Sequence, residues 1–395
     1  ANGFYHDAHN LEGCCDYVMA NPPFNVDKVK SESTQNAGRL PFGLPGVNAK
    51  KEVSNANYLW ISYFYAYLND MGRAGFVMAA SATDSGNKER EIRKQLIQTG
   101  HVDCMMSVAN NFFYKVSLPC SLWFFDKGKK EELKGKVLFI DARNYYTVVD
   151  RTLNEWSEWQ MKNLNAIVWL YRGEVDKYEK LLMDYRAQII GDCYELDTEF
   201  EALSVLLNGY GEKLRALRQQ VADTILHVDN INQLLPLNEI LKHYTAELNS
   251  SLKAFIEHGD SLEKDEAKEL AKSIDETVTT WERFKKAASA RIEEVVSQIK
   301  ACRTVIKEAK WLTDKFGEGT YEDILGLCKL ATIDEIEEKN WSLTPGAYVG
   351  VAPVKKDDEN FEERMAEIHK ELVALQAESN QLMDTISANF EGLGL

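Results

Sequence analysis

The tetrapeptide Asn21-Pro22-Pro23-Phe24 closes the apolar run Tyr17-Val18-Met19-Ala20, and its residue types suit one chemical task, the holding of a planar exocyclic amine. The Asn21 side-chain oxygen and the Pro22 carbonyl can each accept one N–H of such an amine. That draws the nitrogen lone pair out of conjugation and aims it at an electrophile. Consecutive prolines fix φ at roughly −65° and restrict the residue before each of them, so the carbonyls are in place before reaction. Phe24 offers a ring face on which an extruded base can stack. The same four residues also serve as an ordinary turn after a strand. The surrounding chain decides between the two.

Other chemistry is poorly represented. The cysteines, Cys14, Cys15, Cys104, Cys120, Cys193, Cys302 and Cys328, form an odd set without a C-x-x-C pair. Neither a disulfide framework nor a zinc site is indicated, and no metal is expected. No nucleophile elbow or Cys/His arrangement is recognisable. His6, His9 and His101 read as surface or packing residues and are assigned no role.

The elements that must position the turn are legible from periodicity. A chain of 395 residues, 45% hydrophobic and 27% charged, is a globular protein of two or three domains. Strands are predicted over 16–20, 75–80, 102–108, 121–125 and 137–141, with helices over 57–70 and 88–98 between them. This is the pattern of a mostly parallel α/β sheet. Residues 26–55 show no periodicity and read as a long surface loop following the tetrapeptide. In an open α/β sheet ligands bind beyond the carboxyl ends of the strands, which is where the tetrapeptide falls.

From about residue 156 the texture becomes helical and acidic. Trp281, Phe284, Ala288, Ile292, Val295, Ile299, Cys302, Ile306 and Ala309 advance by threes and fours as one apolar seam. Phe361, Met365, Ile368, Leu372, Leu375, Ser379, Leu382 and Ile386 form a second, suited to intrachain packing or to docking on a partner helix. Net charge is −16, yet residues 1–150 hold 17 Lys and Arg against 16 Asp and Glu, leaving 29 against 46 for the rest. A near-neutral first part and an acidic helical part imply that a partner supplies much of any phosphate-binding charge. No apolar stretch of membrane-spanning length occurs, and the first residues lack the features of a secretory signal. No membrane association is expected, and cytoplasm is the default.

Several of these pieces, in this order, resemble the modification subunits of type I restriction-modification systems. They are the stretch from Asp16 to Phe24; Asn57-Tyr58-Leu59-Trp60 leading through Gly72-Arg73-Ala74-Gly75 into Phe76-Val77-Met78; Glu91-Ile92-Arg93-Lys94-Gln95-Leu96-Ile97; Asn111-Phe112-Phe113-Tyr114 with Leu118-Pro119; Leu122-Trp123-Phe124-Phe125; and Phe139-Ile140-Asp141-Ala142-Arg143. The segment from Asn340 to Gly350 is similar to a short element this family carries before its last helix. The resemblance covers most of residues 1–160 and 335–395. It leaves the helical middle unaccounted for, beyond being the kind of insert some members carry.

The resemblance implies an adenine-N6 DNA methyltransferase that uses S-adenosylmethionine inside a complex with a DNA-specificity subunit and a helicase-nuclease restriction subunit. On that analogy Asn21 and the Pro22 carbonyl hold the adenine amine, Pro23 shapes the turn and Phe24 stacks on the flipped base. One of Phe112 and Phe113, with Phe113 favoured, walls the pocket from the other side. Asp16 then has a structural role. The implied fold is the C-terminal part of a Rossmann-like methyltransferase sheet followed by a long α-helical, coiled-coil region. The expected divisions are residues 1–155 (α/β), 156–335 (helical insert) and 336–395 (turn segment and assembly helix).

A methyltransferase of this order carries a glycine-rich cofactor turn upstream of the tetrapeptide, and none appears in the 20 residues before Asn21. The cofactor half is therefore expected to lie outside this sequence, leaving the chain inactive alone. An apolar strand edge would then be exposed, to be covered by the missing part or by self-association. The alternatives are a self-sufficient adenine methyltransferase, a glutamine-N5 protein methyltransferase using the same clamp, and a helical assembly module without activity.

Overall fold

The computed structural model describes residues 3–113, 118–207 and 209–352 and, beyond them, the helical positions 365, 369, 372, 376, 379, 380, 382 and 383. β1 (Cys15–Ala20) runs into the turn at 21–24. β2 (Val29–Lys30), α1 (Ser31–Asn36) and β3 (Glu52–Val53) lie within the segment read as a loop. Then come α2 (Asn57–Tyr67), β4 (Leu68–Ala79), α3 (Asn87–Gln98), β5 (Val102–Val108), β6 (Cys120–Asp126), α4 (Glu131–Lys134), β7 (Lys136–Asp141) and the hairpin β8 (Thr147–Asp150) and β9 (Leu153–Glu155). The helical stretch comprises α5 (Glu158–Tyr171), α6 (Val175–Leu206), α7 (Glu212–Leu226), α8 (Leu237–Ser261), α9 (Lys264–Ile274) and α10 (Trp281–Phe316). It is followed by β10 (Cys328–Thr332) and α11 (Ile333–Glu338).

One six-stranded sheet has the order β1-β4-β6-β5-β7-β10. β1 and β4 are parallel, as are β5 and β7, whereas β6 runs antiparallel to both β4 and β5 and β10 runs antiparallel to β7. The fold class is α/β, as expected, but the sheet is mixed. Its four co-directional strands, β1, β4, β5 and β7, end at one edge. Burial explains the placement. All but one residue of the central β5 are buried, which suits its nearly unbroken apolar sequence. β1 alternates instead: Val18 and Ala20 pack on the core, whereas Tyr17 and Met19 are 76% and 90% exposed. Among the described residues no strand pairs with the other side of β1, so it forms an open apolar edge.

Two local differences from the sequence reading have identifiable causes. The first concerns α2, which stops at Tyr67 rather than at residue 70, because Leu68 already pairs with Cys15. The Asn69 amide then donates to Asp16 Oδ1 (2.7 Å) while its oxygen accepts from the Met71 N–H (3.1 Å). Asp16 thereby fixes the bulge between the two strands. Gly72 is required there, since a Cβ would lie 2.6 Å from the Cys15 carbonyl. The second is that the 26–55 segment is ordered: β2 and β3 pair, and Ser31 holds the Lys51 carbonyl through both N–H (3.1 Å) and Oγ (2.7 Å).

The 281–309 seam is buried in full along α10, which packs against α6 and α8 as intrachain core. At the amino-terminal edge of the sheet Arg172 and Lys129 meet Asp103 (2.5 and 3.8 Å), and Lys129 Nζ also donates to the Val102 carbonyl (2.8 Å). Burial pushes the Lys129 ammonium down to about 8. This charged cluster ties α5 to the edge opposite the turn. The cysteines are all free thiols.

Residues 352–395 form a compact unit separate from 1–351. Of the second seam, Met365, Leu372, Ser379 and Leu382 are helical and exposed. Phe361, Ile368, Leu375 and Ile386 lie outside the described residues. No helix among the described residues is long and apolar enough to cross a membrane.

Candidate functional site

The tetrapeptide lies beyond the carboxyl end of β1, where the sheet leaves its backbone groups open. Pro22 is buried, Phe24 is half-buried, and Asn21 and Pro23 are exposed. Among the described residues the exposed Asn21 carboxamide has no hydrogen-bond partner.

What makes the turn rigid is a group that sequence reading missed. Asn25, immediately after Phe24, has a left-handed backbone (φ 55°), and a buried asparagine grips it. The Asn25 N–H donates to Asn57 Oδ1 (2.9 Å), Asn57 Nδ2 donates back to Asn25 Oδ1 (2.9 Å), and Asn55 Nδ2 reaches the same oxygen (2.9 Å). Asn55 Oδ1 in turn accepts the Asn57 N–H (2.9 Å), and the Ala56 N–H binds the Val26 carbonyl (2.9 Å). The exit of the turn is thus bolted to the first residue of α2. Asn57→Ala is expected to cost about 1–3 kcal/mol by leaving the Asn25 N–H without its acceptor. A lower denaturation midpoint together with faster amide exchange at Asn25 checks it; unchanged exchange at Asn25 contradicts it. The signal in the sequence was three asparagines bracketing an aperiodic loop, which no periodicity argument weighs.

The structure separates the aromatic pair after β5. Phe112 is committed to packing, its ring 4.8 Å from Trp156 and 5.8 Å from Tyr146. Phe113 is half-buried and has no ring partner among the described residues. Both lie at the same carboxyl edge as Phe24. β4 and β6 intervene, so β5 stands three strand spacings, about 14 Å, from β1.

A third contributor to this edge comes from far along the chain. The Leu343 N–H donates to the Thr83 carbonyl (2.8 Å), and the hydroxyls of Thr83 and Thr344 are 2.7 Å apart, just beyond β4. Tyr348 stacks on Phe139 of β7 at 3.9 Å and 6°. Arg93 of α3, 1% exposed, joins these parts: its Nε donates to the Trp341 carbonyl and its Nη1 to Tyr58 Oη and the Ser85 carbonyl, both 2.8 Å. Burial drives the Tyr58 hydroxyl up to about 12 although Arg93 pulls it down, so Tyr58 stays protonated and donates to the Ala82 carbonyl (2.6 Å). His101 sits at the opposite edge against Tyr65 (2.7 Å), while His6 and His9 are exposed. Among the described residues no cluster of His, Cys, Asp and Glu is suited to a metal.

An α/β sheet whose parallel strands end at one edge, with an uncharged acceptor on a braced turn there, belongs to the doubly wound class that binds ligands beyond its strand ends. A family model described as N-6 DNA Methylase matches residues 1–199, and the chain belongs to that family. It is 42% identical over 166 residues to the type I restriction enzyme MjaIX methylase subunit of Methanocaldococcus jannaschii, covering 40% of this chain and 29% of that protein. Identity to the HindI methylase subunit of Haemophilus influenzae is 32% over 158 residues, or 40% of this chain and 34% of the relative. A solved type I methyltransferase subunit from Streptococcus thermophilus aligns with a TM-score of 0.38 at 23% identity, over 42% of this chain and 34% of the other. The chain therefore spans about a third of the length of the curated relatives it matches.

Proposed function

We propose that this chain carries the amine-holding part of an adenine-N6 DNA methyltransferase, acting as the modification subunit of a type I restriction-modification complex. The observation that carries the reading is the exposed, unpartnered Asn21 carboxamide on a turn braced by Asn25 and Asn57 at the carboxyl end of β1. Adenine N6 is a poor nucleophile because its lone pair is spread into the ring. Two acceptors, Asn21 Oδ1 and the Pro22 carbonyl, draw its hydrogens out of the ring plane and localise that pair. Phe24 stacks on the extruded base and Phe113 closes it from the far side of the edge. No side-chain base is needed for this step.

S-adenosylmethionine would supply the methyl group as a sulfonium electrophile. Among the described residues no strand enters a glycine-rich turn that opens a helix. β4 is followed by the turn Ala80–Asp84, β5 by Asn110 and Asn111, and β7 by Ala142 and Arg143. The residues described here do not by themselves form a cradle for that cofactor; their work is on the amine. DNA specificity is assigned to a partner subunit, in keeping with the acidity of residues 151–395, and a restriction subunit completes the complex in the cytoplasm. The open β1 edge is to be covered by such a partner or by self-association, and the helical positions Met365, Leu372 and Leu382 serve subunit assembly.

Single-molecule sequencing of host DNA tests this. N6-methyladenine in one sequence context is expected when the gene is present and should vanish on its deletion. Unchanged adenine methylation after deletion would overturn the proposal.

A further inference from the structure

Glu308, in the last third of α10, is half-buried and accepts hydrogen bonds from three side chains: the Tyr145 hydroxyl, Gln160 Nε2 (3.4 Å) and Asn163 Nδ2 (3.3 Å). Asn163, fully buried, also donates to the Glu308 carbonyl (3.1 Å) and to Tyr145 Oη (2.8 Å), and accepts from Tyr185 (2.9 Å). Trp311, three residues on, stacks on the Tyr145 ring at 4.0 Å and 13°. Burial raises the Glu308 carboxyl against the pull of its three donors, and burial together with Glu308 raises the Tyr145 hydroxyl, which remains a donor.

Two routes lead from this hub to the loop after β5. Along the first, the Tyr145 carbonyl accepts from Trp156 Nε1 (2.8 Å), and Trp156 and Tyr146 hold the Phe112 ring. Along the second, Gln160 Oε1 accepts from Thr147 Oγ1 (3.1 Å) at the start of β8. Asn154, on the paired strand β9, donates its N–H to the Asn111 carbonyl (2.8 Å) and its Nδ2 to the Asn110 carbonyl (2.9 Å). Asn111 has a left-handed backbone, φ 64°, a conformation that persists where the surroundings hold it. The loop is therefore held from the helical side, by residues that are distant in sequence.

We infer that Glu308 is a positioning residue: through Tyr145, Gln160 and the β8–β9 hairpin the helical bundle fixes the loop at residues 110–113, and with it the place of Phe113 opposite Phe24. This gives the helical stretch a role in the site, and it rests on the reading of the turn as an adenine clamp. Deleting the carboxylate leaves the buried Tyr145 and Gln160 donors without this acceptor, so that only the Trp311 stack and the Asn163 bonds still link Tyr145 to α10.

The test uses Glu308→Ala and the milder Tyr145→Phe, each in the full chain within its methylating complex. Amide exchange at Asn154 and across residues 110–113 is expected to rise roughly tenfold. The kcat for methyl transfer should fall roughly ten- to a hundredfold, as for a pocket wall moved by about 1 Å, with KM for DNA nearly constant. Glu308→Gln, which keeps an acceptor oxygen, should recover part of both. A lowered denaturation midpoint with loop exchange and kcat unchanged would overturn the inference, reducing Glu308 to a stabilising residue. Asn21→Ala serves as the control, because it should lower kcat by about 10²–10³-fold without altering exchange at Asn154. An undiminished rate in Asn21→Ala removes the adenine clamp, whereas loop exchange still judges Glu308.

Discussion

On the proposed amine-clamp reading, Asn21→Ala in the proposed methylating complex is expected to lower kcat for adenine methylation by about 10²–10³-fold while leaving DNA affinity within about twofold. On that reading the substitution removes one of two fixed acceptors whose interactions with the amine strengthen as N6 becomes tetrahedral, and loss of a single preorganised partner of this kind costs about 2.7–4 kcal/mol of transition-state stabilisation. Asn21 is exposed and makes no hydrogen bond among the described residues, so its replacement should not disturb the fold. Asn21→Asp retains an acceptor oxygen in the same place and should restore part of the rate. Single-turnover kinetics with labelled cofactor, beside a DNA-binding isotherm for each variant, measure the split. A proportionate loss of DNA binding in Asn21→Ala would mean that the side chain supports the duplex generally and does not act on the amine.

The second large effect is structural. Arg93→Leu should destabilise the chain by about 3–5 kcal/mol, because the Trp341 and Ser85 carbonyls and the Tyr58 hydroxyl would all lose a buried charged donor. The loss is directional: the segment at 341–349 should detach from the end of β4 before the sheet unfolds. Its hold on the edge would then rest on the Leu343–Thr83 and Thr83–Thr344 contacts and the Tyr348–Phe139 stack. Hydrogen exchange at Leu343 and Tyr348 reports this locally, and a chemical denaturation midpoint reports it globally. Arg93→Lys keeps a charge but cannot span three acceptors, so an intermediate effect is expected. Native-like exchange at Leu343 in Arg93→Leu would show that the guanidinium is dispensable for docking.

What the sequence revealed follows from where burial is simple. β5 was bounded correctly at 102–108 because its residues are buried almost throughout and read as one apolar run. The seam from Trp281 to Ala309 was visible because a single helix buries one face. Gly100 takes the left-handed turn after α3 (φ 76°), where a Cβ would stand 2.9 Å from the Lys134 carbonyl. Elements decided by distant partners stayed hidden. β10, Cys-Lys-Leu-Ala-Thr, is short and mixed in polarity, and it is a strand only because β7 offers it an edge. The boundary of α2 depends on Leu68 pairing with Cys15, far back in the chain.

The candidate site divides the same way. Asn21 and Phe24 are candidates that four consecutive residues put forward, and the structure places both beyond the carboxyl end of β1. Phe112 and Phe113 were indistinguishable until Trp156 and Tyr146 claimed the first. The asparagine grip on the turn spans 32 residues, and the Glu308–Asn163 contacts span 145. Hydrogen bonds between polar side chains at such separations leave no periodic trace.

The most direct test of the proposed amine clamp at residues 21–24 is a photocrosslink. A duplex carrying the sequence methylated in the host, with 5-iodouracil in place of the target adenine, is irradiated in the complex, and the modified residue is read by mass spectrometry. The adduct is predicted on Phe24, with loss of the crosslink in Phe24→Ala. An adduct confined to residues away from the carboxyl edge of the sheet, and unaffected by Phe24→Ala, would contradict the account.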